Sequence, residues 1–500
     1  MNTFITELEK IYNYKFTENG AIAHRSTGSK VYDLFALGGA YRSRSDEDCI
    51  LLFKNAFEED PDLALKCLFY LRDCRGGQGE RRFFRICYKW LANEQPAAAL
   101  HVLPQVSNYG RWDDLFILIS TPIAQDMASF IRTQLTLDMR DAIGHKAISL
   151  LGKWMPSENA HSRITKANAT WIRKYLGMTS KQYRQMLSKL RAHLNVLERL
   201  MSANRWNEIE FDKIPSKAGL IYRNAFARRD IIAKKYETFA KDRNTKVNAG
   251  TLYPYEIVEK VIDHCYWANL HITDTERAML NKYWENQKDY LNGKSPSMLC
   301  VVDTSASMRG RPINVAISLG LYCAERMKGV FANKYISFSR NPKLIKTEGV
   351  DFVDKVERIY RQNLCENTDL VKTFDLLLSM ALMSKKEDIP KTIVVISDME
   401  IDSATGTGWR YGEDHWSKEY ASTEMEKVRK KWERYGLKCP RLIYWNVDAR
   451  SNTILDSGSN VTFVSGCSPV IFKSVLTGKN GFDLMLDVLL SDRYKEIESK

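Results

Sequence analysis

The feature that constrains this chain most is a set of short apolar runs confined to its last two-fifths. SMLCVVDTS, KTIVVISDM and RLIYWNV carry continuous apolar stretches without the in–out alternation of a strand that buries one face. Strands of that kind are covered on both sides, which calls for a parallel sheet layered with helices. FANKYISFS and NVTFVS read as further strands, and PINVAISLGLYCAERM and TDLVKTFDLLLSMAL as amphipathic helices between them. Another helix is expected near 413–435 and one more at the end. Strand–helix alternation predicts a doubly wound α/β domain, whose ligands bind at the carboxyl ends of the strands.

Before the Gly/Pro/Ser-containing stretch LNGKSPS the texture is different: helix follows helix. SDEDCILLFKNAFEED opens with Ser45 and an acidic first turn, PDLALKCLFYLRDC opens with Pro61, and GERRFFRICYKWLANEQ, GRWDDLFILIS and PIAQDMASFIRTQLTLDMRDAIG follow over short connections. Paired helices with short turns predict a HEAT-like helical repeat, although no fixed period is visible. At 500 residues the chain exceeds what one core usually supports. The expected class is therefore α followed by α/β, with a helical domain over 1–292 and a sheet domain over 293–500.

No apolar run approaches the roughly 18–20 residues that span a bilayer, and the polar, acidic start lacks the pattern of a signal peptide. Ten cysteines sit singly, several inside apolar runs (Cys67, Cys87, Cys300, Cys323), and no C-x-x-C pair occurs. Buried free thiols in a reducing, cytoplasmic setting are the economical expectation.

The net charge of +13 is unevenly spread. Residues 1–150 hold 18 basic and 19 acidic side chains, whereas residues 151–250 hold 21 basic and 8 acidic. A field concentrated in one stretch favours polyanions, nucleic acid above all, over a merely solvated surface. In TSKQYRQMLSKLRAHLNVLERLM a stripe of Tyr183, Leu187, Leu190, Leu194, Leu197 and Met201 leaves Lys181, Arg184, Arg191 and Arg199 on the other side of one helix, capped by Thr179 or Ser180. Lys153, Arg173 and Lys174 belong to the same basic stretch. RDCRGGQGERR is no P-loop, because neither a preceding strand nor a Lys-Ser/Thr is present. Gly76 and Gly77 are expected to end one helix in left-handed conformation. Arg72, Arg75, Arg81, Arg82 and Arg85 crowd that turn, either as phosphate contacts beside a helix N-terminus or as ion-pair partners of Asp73 and Glu80.

The chemistry-bearing constellation lies at the predicted strand ends. Asp303, Ser305 and Ser307 follow the first apolar strand at i, i+2 and i+4, Thr368 precedes a helix, and Asp398 ends the central strand. Oxygen ligands from three loops suit Mg²⁺ with a coordination position left open. This D-x-S-x-S, with its distant Thr and strand-terminal Asp, resembles the metal-ion-dependent adhesion site of von Willebrand factor A domains. The likeness implies that Ser305, Ser307 and Thr368 contact the metal directly, and Asp303 and Asp398 largely through water. Gly406, Gly408 and Gly412 with Trp409, Arg410, Tyr411 and Trp416 read as a flap beside it, either stacking bases or forming the edge of a packed insertion.

RDCRGGQGER, GRWDDL (110–115), KWMPSE (153–158) and LYPYEIV (252–258), followed by such a domain, resemble the TROVE module of Ro ribonucleoproteins, and more closely its plant, bacterial and viral relatives of uncharacterised function. That resemblance implies a ring of HEAT-like helices closed by the A domain, with single-stranded ends of misfolded noncoding RNA in a basic hole. The expectation is a monomeric, non-enzymatic RNA-binding protein with a Mg²⁺ site. Two rivals remain: a scaffold whose metal grips a carboxylate of a partner protein, and, more weakly, a metal-dependent nuclease.

Overall fold

The computed structural model describes residues 13–17, 22–266, 271–293, 296–338, 342–362, 369–400, 424–455, 460–475 and 478–500. They form two compact units: Met1–Glu59 with Ala249–Ser491, and Asp60–Asn248 with Asp492–Lys500. None of the described helices is long and apolar enough to cross a membrane. The nine described cysteines are free thiols, seven of them buried.

The first unit carries a small antiparallel hairpin, β1 (Tyr14–Phe16) with β2 (Ile22–His24), and a six-stranded sheet. Its strands are β3 (Met298–Asp303), β4 (Lys334–Phe338), β5 (Leu344–Lys346), β6 (Thr392–Ser397), β7 (Arg441–Asn446) and β8 (Val461–Ser465). The order is β5-β4-β3-β6-β7-β8, parallel throughout except for the edge strand β5. Every residue of β3 and β8 is buried, as the continuous apolar runs require. Adjacent residues of β7 face opposite layers. Trp445 packs on Phe472, which in turn stacks with Tyr322 of the helix Arg311–Arg326, while Tyr444 stacks on its cross-strand neighbour Phe463. The chain runs from β3 out to β4 and β5 and then returns to β6 on the other side of β3. The crevice at the carboxyl ends of β3 and β6 is thus a topological switch point.

The compact units divide the chain differently from the domains expected over 1–292 and 293–500, joining residues 249–292 to the sheet. The helix Pro254–Tyr266 packs on Arg311–Arg326, with Ile257, Val258, Val261 and Ile262 buried. At roughly 1.5–3 kcal/mol per fully buried aliphatic side chain, that contact outweighs the change in texture along the sequence. Near the other end, Lys30–Leu37 packs on β8, and the Tyr32 hydroxyl accepts from the Phe463 amide at 2.9 Å. Gly39 permits the closest approach there: its amide donates to Ser465 Oγ at 2.9 Å, and a Cβ would lie 2.7 Å from the Ser465 carbonyl oxygen.

The second unit is helical, and neighbours in sequence pack as pairs: Pro61–Arg72 with Arg81–Glu94, and Ser216–Arg228 with Asp230–Lys241. Ser180–His193 starts with a capping box between Thr179 and Gln182. The single stripe expected to run to Met201 is interrupted, because Asn195 takes a positive φ of 47° and a new helix begins at Leu197. The RDCRGGQGE turn also differs from expectation. Gly79, not Gly76 or Gly77, has the left-handed φ of 68°, and Gly77 is needed for space, since a Cβ would sit 2.0 Å from the Tyr70 carbonyl oxygen.

That turn is built around Asp73, which is fully buried. Its carboxylate accepts from the amides of Arg75 (2.9 Å) and Gly76 (3.0 Å), from Arg493 Nη2 (2.8 Å) and from the Tyr494 hydroxyl (3.0 Å). The C-terminal residues continue along the same unit: Lys66 donates to the Ile497 carbonyl at 2.7 Å and the Ser499 hydroxyl to Asp62 at 2.6 Å. Arg493→Ala is expected to cost about 2 kcal/mol in a urea titration, less than the ~3–5 of a fully buried pair because the guanidinium is partly in water.

Candidate functional site

Parallel pairing of β3 with β6 matches Val302 to Ile396 and ends both strands side by side, so Asp303, Ser397 and Asp398 meet at one edge. Asp303 is fully buried and doubly anchored: Oδ1 accepts from the Ser305 amide at 2.9 Å and Oδ2 from the Ser397 hydroxyl at 2.6 Å. The Ser305 and Ser307 hydroxyls lie 2.8 Å apart. An octahedral Mg²⁺ site with 2.0–2.1 Å bonds has ligand edges of about 2.9 Å, so two serine oxygens at this spacing match neighbouring corners. Asp398 is buried as well. Its Oδ1 accepts from the Glu400 amide at 3.2 Å, Met399 between them takes a φ of 65°, and Oδ2 is ion-paired with Arg450. Burial, reinforced by the Asp398 charge, pushes the Asp303 carboxyl up to about 7. Ser305 and Ser307, with the two aspartates behind them, are the residues that would hold a hard divalent cation here, and their all-oxygen chemistry and spacing fit one.

Thr368 lies outside the described residues, as do Gly406, Gly408, Trp409, Arg410, Tyr411, Gly412 and Trp416, all expected to form a flap. Sequence reasoning missed three neighbours. Ser397 was hidden inside an apolar strand; only its register opposite the Asp303 end gives it a role. Asn446 ends β7 beside Ser397, buried, with no hydrogen-bond partner for its Nδ2 among the described residues. Arg450 comes from a loop some fifty residues beyond Asp398, a separation that no motif spacing would join.

The ten cations expected to grip phosphate separate into two groups. Arg72 is 2% exposed and bonded to Asp114, with Nη2 at 2.6 Å and Nε at 2.8 Å. Arg173 pairs with Glu158 at 2.8 Å and also donates to the Met178 carbonyl. Arg191 donates to the carbonyls of Gly152 (3.1 Å) and Met155 (2.9 Å) and to the Ser157 hydroxyl (3.1 Å). These three are internal fasteners, a correction to the expectation that they face solvent. The cause is a shared one: buried carbonyls and carboxylates need donors, and the long guanidinium reaches them. Arg75 is exposed and donates to the Asn108 carbonyl. Arg81 and Arg82 are exposed at the start of Arg81–Glu94. Partial burial first, then the nearby Arg111 and Arg85, lowers the pKa of Arg81. Lys153 lies 5.6 Å from the Trp154 ring centroid.

Lys174, Lys181 and Arg184 are exposed and have no acidic partner among the described residues, and Arg163, Lys166 and Lys189 share that condition. The chemistry is simple: no Asp or Glu occurs between Glu158 and Glu198. The helices Arg163–Tyr175 and Ser180–His193 therefore show solvent an uncompensated cationic surface.

Three motifs noted in the sequence meet in the helical unit. Arg72 and Arg85 both bind Asp114, Arg85 and Arg111 bind Asp113, and Arg111 lies 4.2 Å over the Trp154 ring. RDCRGGQGER, GRWDDL and KWMPSE are one polar core, not three surface signals.

Comparison with known proteins places these features in a family. The model of a domain of unknown function, DUF2828, matches residues 17–135 and 161–295, a little over half of the chain. A second, DUF7788, also a domain of unknown function, matches residues 297–497. The junction between the two matches falls where the sequence texture changes. The uncharacterized protein L728 of Acanthamoeba polyphaga mimivirus is 28% identical over 523 aligned positions, covering 95% of this chain and 87% of the viral protein.

Removing Arg72 leaves the buried Asp114 carboxylate to Arg85 alone. Arg72→Ala is expected to lower unfolding free energy by about 3 kcal/mol, the lower end for a broken buried pair, while Lys181→Glu leaves it nearly unchanged; chemical denaturation separates the two. Asp303 supplies a pH test. With a carboxyl raised from 3.8 to about 7, the folded state holds a proton that the unfolded state releases. In chelator, that contribution is fully present below about pH 4 and is lost as pH rises to about 7, by at most about 1.4 kcal/mol per pH unit. Asp303→Asn is expected to flatten the stability profile between about pH 4 and 7.

Proposed function

The chain belongs to the DUF2828 family, and we propose that it is an RNA-binding protein that works by binding and not by catalysis. In this reading the helical part is a HEAT-like repeat of the TROVE kind, and the sheet unit is a von Willebrand factor A-like domain with a Mg²⁺ site. The observation that carries it is the acid-free stretch 159–197, whose exposed Arg163, Lys166, Lys174, Lys181, Arg184 and Lys189 lack acidic partners among the described residues. A surface kept free of compensating carboxylates serves a polyanion better than it serves solubility, for which mixed charge suffices. The A-like reading of the sheet draws support from the strand order, its antiparallel edge strand, and D-x-S-x-S at the switch point.

Single-stranded RNA is the expected ligand, since exposed bases can stack while cations track the backbone. Residues 1–500 stripped of nucleic acid should bind 3′-tailed RNA more tightly than blunt duplex, with affinity falling steeply as salt rises. The triple variant K181E/R184E/K189E is expected to lose at least about tenfold in affinity and to reduce the log–log salt slope by about 2, with unchanged thermal unfolding. Equal binding by the variant removes this face from the interface. Retention of a carboxylate-bearing protein by the Mg²⁺-loaded chain, with no RNA bound at low salt, would favour the scaffold reading instead.

A further inference from the structure

The two carboxylates at the β3 and β6 ends do not carry equal charge toward an incoming cation. Asp398 has both oxygens engaged, Oδ1 by the Glu400 amide and Oδ2 by the Arg450 guanidinium. A cation held by Ser305 and Ser307 therefore sits close to an arginine that already neutralises one of its two acidic supports.

Arg450 does not reach Asp398 by its own loop alone. The segment that carries it is tied to the N-terminal part of the same unit at successive residues. The Ala449 amide donates to the Ala40 carbonyl at 3.0 Å, and the Ser43 hydroxyl to Asp448 at 2.8 Å. Tyr41 donates to Asn452, and Arg44 to the carbonyl oxygen of Arg450 itself. His24 and Ile454 exchange backbone hydrogen bonds at 2.7 and 3.0 Å. The loop is held at both ends and at its centre, and the guanidinium is thereby aimed at the buried carboxylate.

We propose that Arg450 is the resident counter-charge of Asp398, that it lowers the affinity of the site for a divalent cation, and that residues 40–44 hold it in that position. This rests on the reading of Asp303, Ser305, Ser307 and Asp398 as a metal site. Arg450 gives the carboxylate pair a net charge of −1 where two free aspartates would offer −2. A positive charge a few ångströms from the cation weakens binding on the order of tenfold or more at the effective dielectric of a protein edge. Arg450 is thus an affinity-setting residue, and any ligand that draws residues 41–44 or the guanidinium away strengthens the hold on the metal.

The test is Mn²⁺ titration of the full chain, with free Mn²⁺ read by electron paramagnetic resonance and Mg²⁺ followed by calorimetry. Arg450→Gln is expected to bind at least about tenfold more tightly than the parent chain. Arg450→Lys keeps the charge and is expected to stay near the parent. Arg44→Ala loosens the loop and is expected to shift in the direction of Arg450→Gln by a smaller factor. Equal affinity of the parent and Arg450→Gln overturns the proposal and leaves the metal site standing. Absence of binding in both, or binding that survives Asp303→Ala, overturns the metal site and the proposal together. Should Arg450→Gln fail to fold by circular dichroism, Arg44→Ala decides, and an unchanged affinity there overturns the proposal.

Discussion

Parallel pairing between β3 and β6 is the constraint from which the rest of the candidate site follows. It ends two buried strands side by side, so that Asp303 and Asp398 come together although ninety-five residues separate them in sequence. Two carboxylates in one dry crevice repel, and the fold answers with specific partners: the Ser397 hydroxyl and Ser305 amide on Asp303, the Glu400 amide and Arg450 on Asp398. Burial above all, and the Asp398 charge after it, still hold the Asp303 carboxyl up near 7. In the proposed reading a divalent ion would be the further counter-charge of this all-oxygen group.

The helical unit poses the opposite electrostatic problem. Its interior spends arginines on a few carboxylates: Arg72 and Arg85 on Asp114, Arg493 on Asp73, and Arg173 on Glu158. Between Glu158 and Glu198 no further acid is available. The lysines and arginines left over on the helices 163–175 and 180–193 are exposed with no acidic partner among the described residues. Internal fasteners and surface cations are alike in composition, and only burial tells them apart.

Local signals in the sequence were legible where the physics is local. Continuous apolar runs gave the sheet strands, Thr179 gave a helix cap, and the strand–helix alternation after 293 gave a mostly parallel sheet whose crevice holds Asp303 and Asp398. Most of the misreadings are matters of distance in sequence, and two, the helix break at Asn195 and the left-handed residue of the glycine turn, are local. Arg72 looked like a surface cation because Asp114 lies on another element, and the stripe through Met201 looked continuous because one asparagine in left-handed conformation leaves no mark in hydrophobic periodicity. That the helix Pro254–Tyr266 shares a compact unit with the sheet is hidden because its partner is remote in sequence: the helix is amphipathic like its predecessors, and nothing in its sequence names what covers it.

By itself, then, the sequence determined the strands that end at Asp303 and Asp398 and the excess of cations over 151–250, because residue type and short-range periodicity are enough to fix these. Tertiary structure alone decided which arginines face water, that Ser397 and Arg450 attend the two aspartates, and that residues 1–59 and 249–292 fold with the sheet. Those outcomes depend on which buried groups meet across tens to hundreds of residues, and a buried charge accepts whichever partner the packing brings within reach.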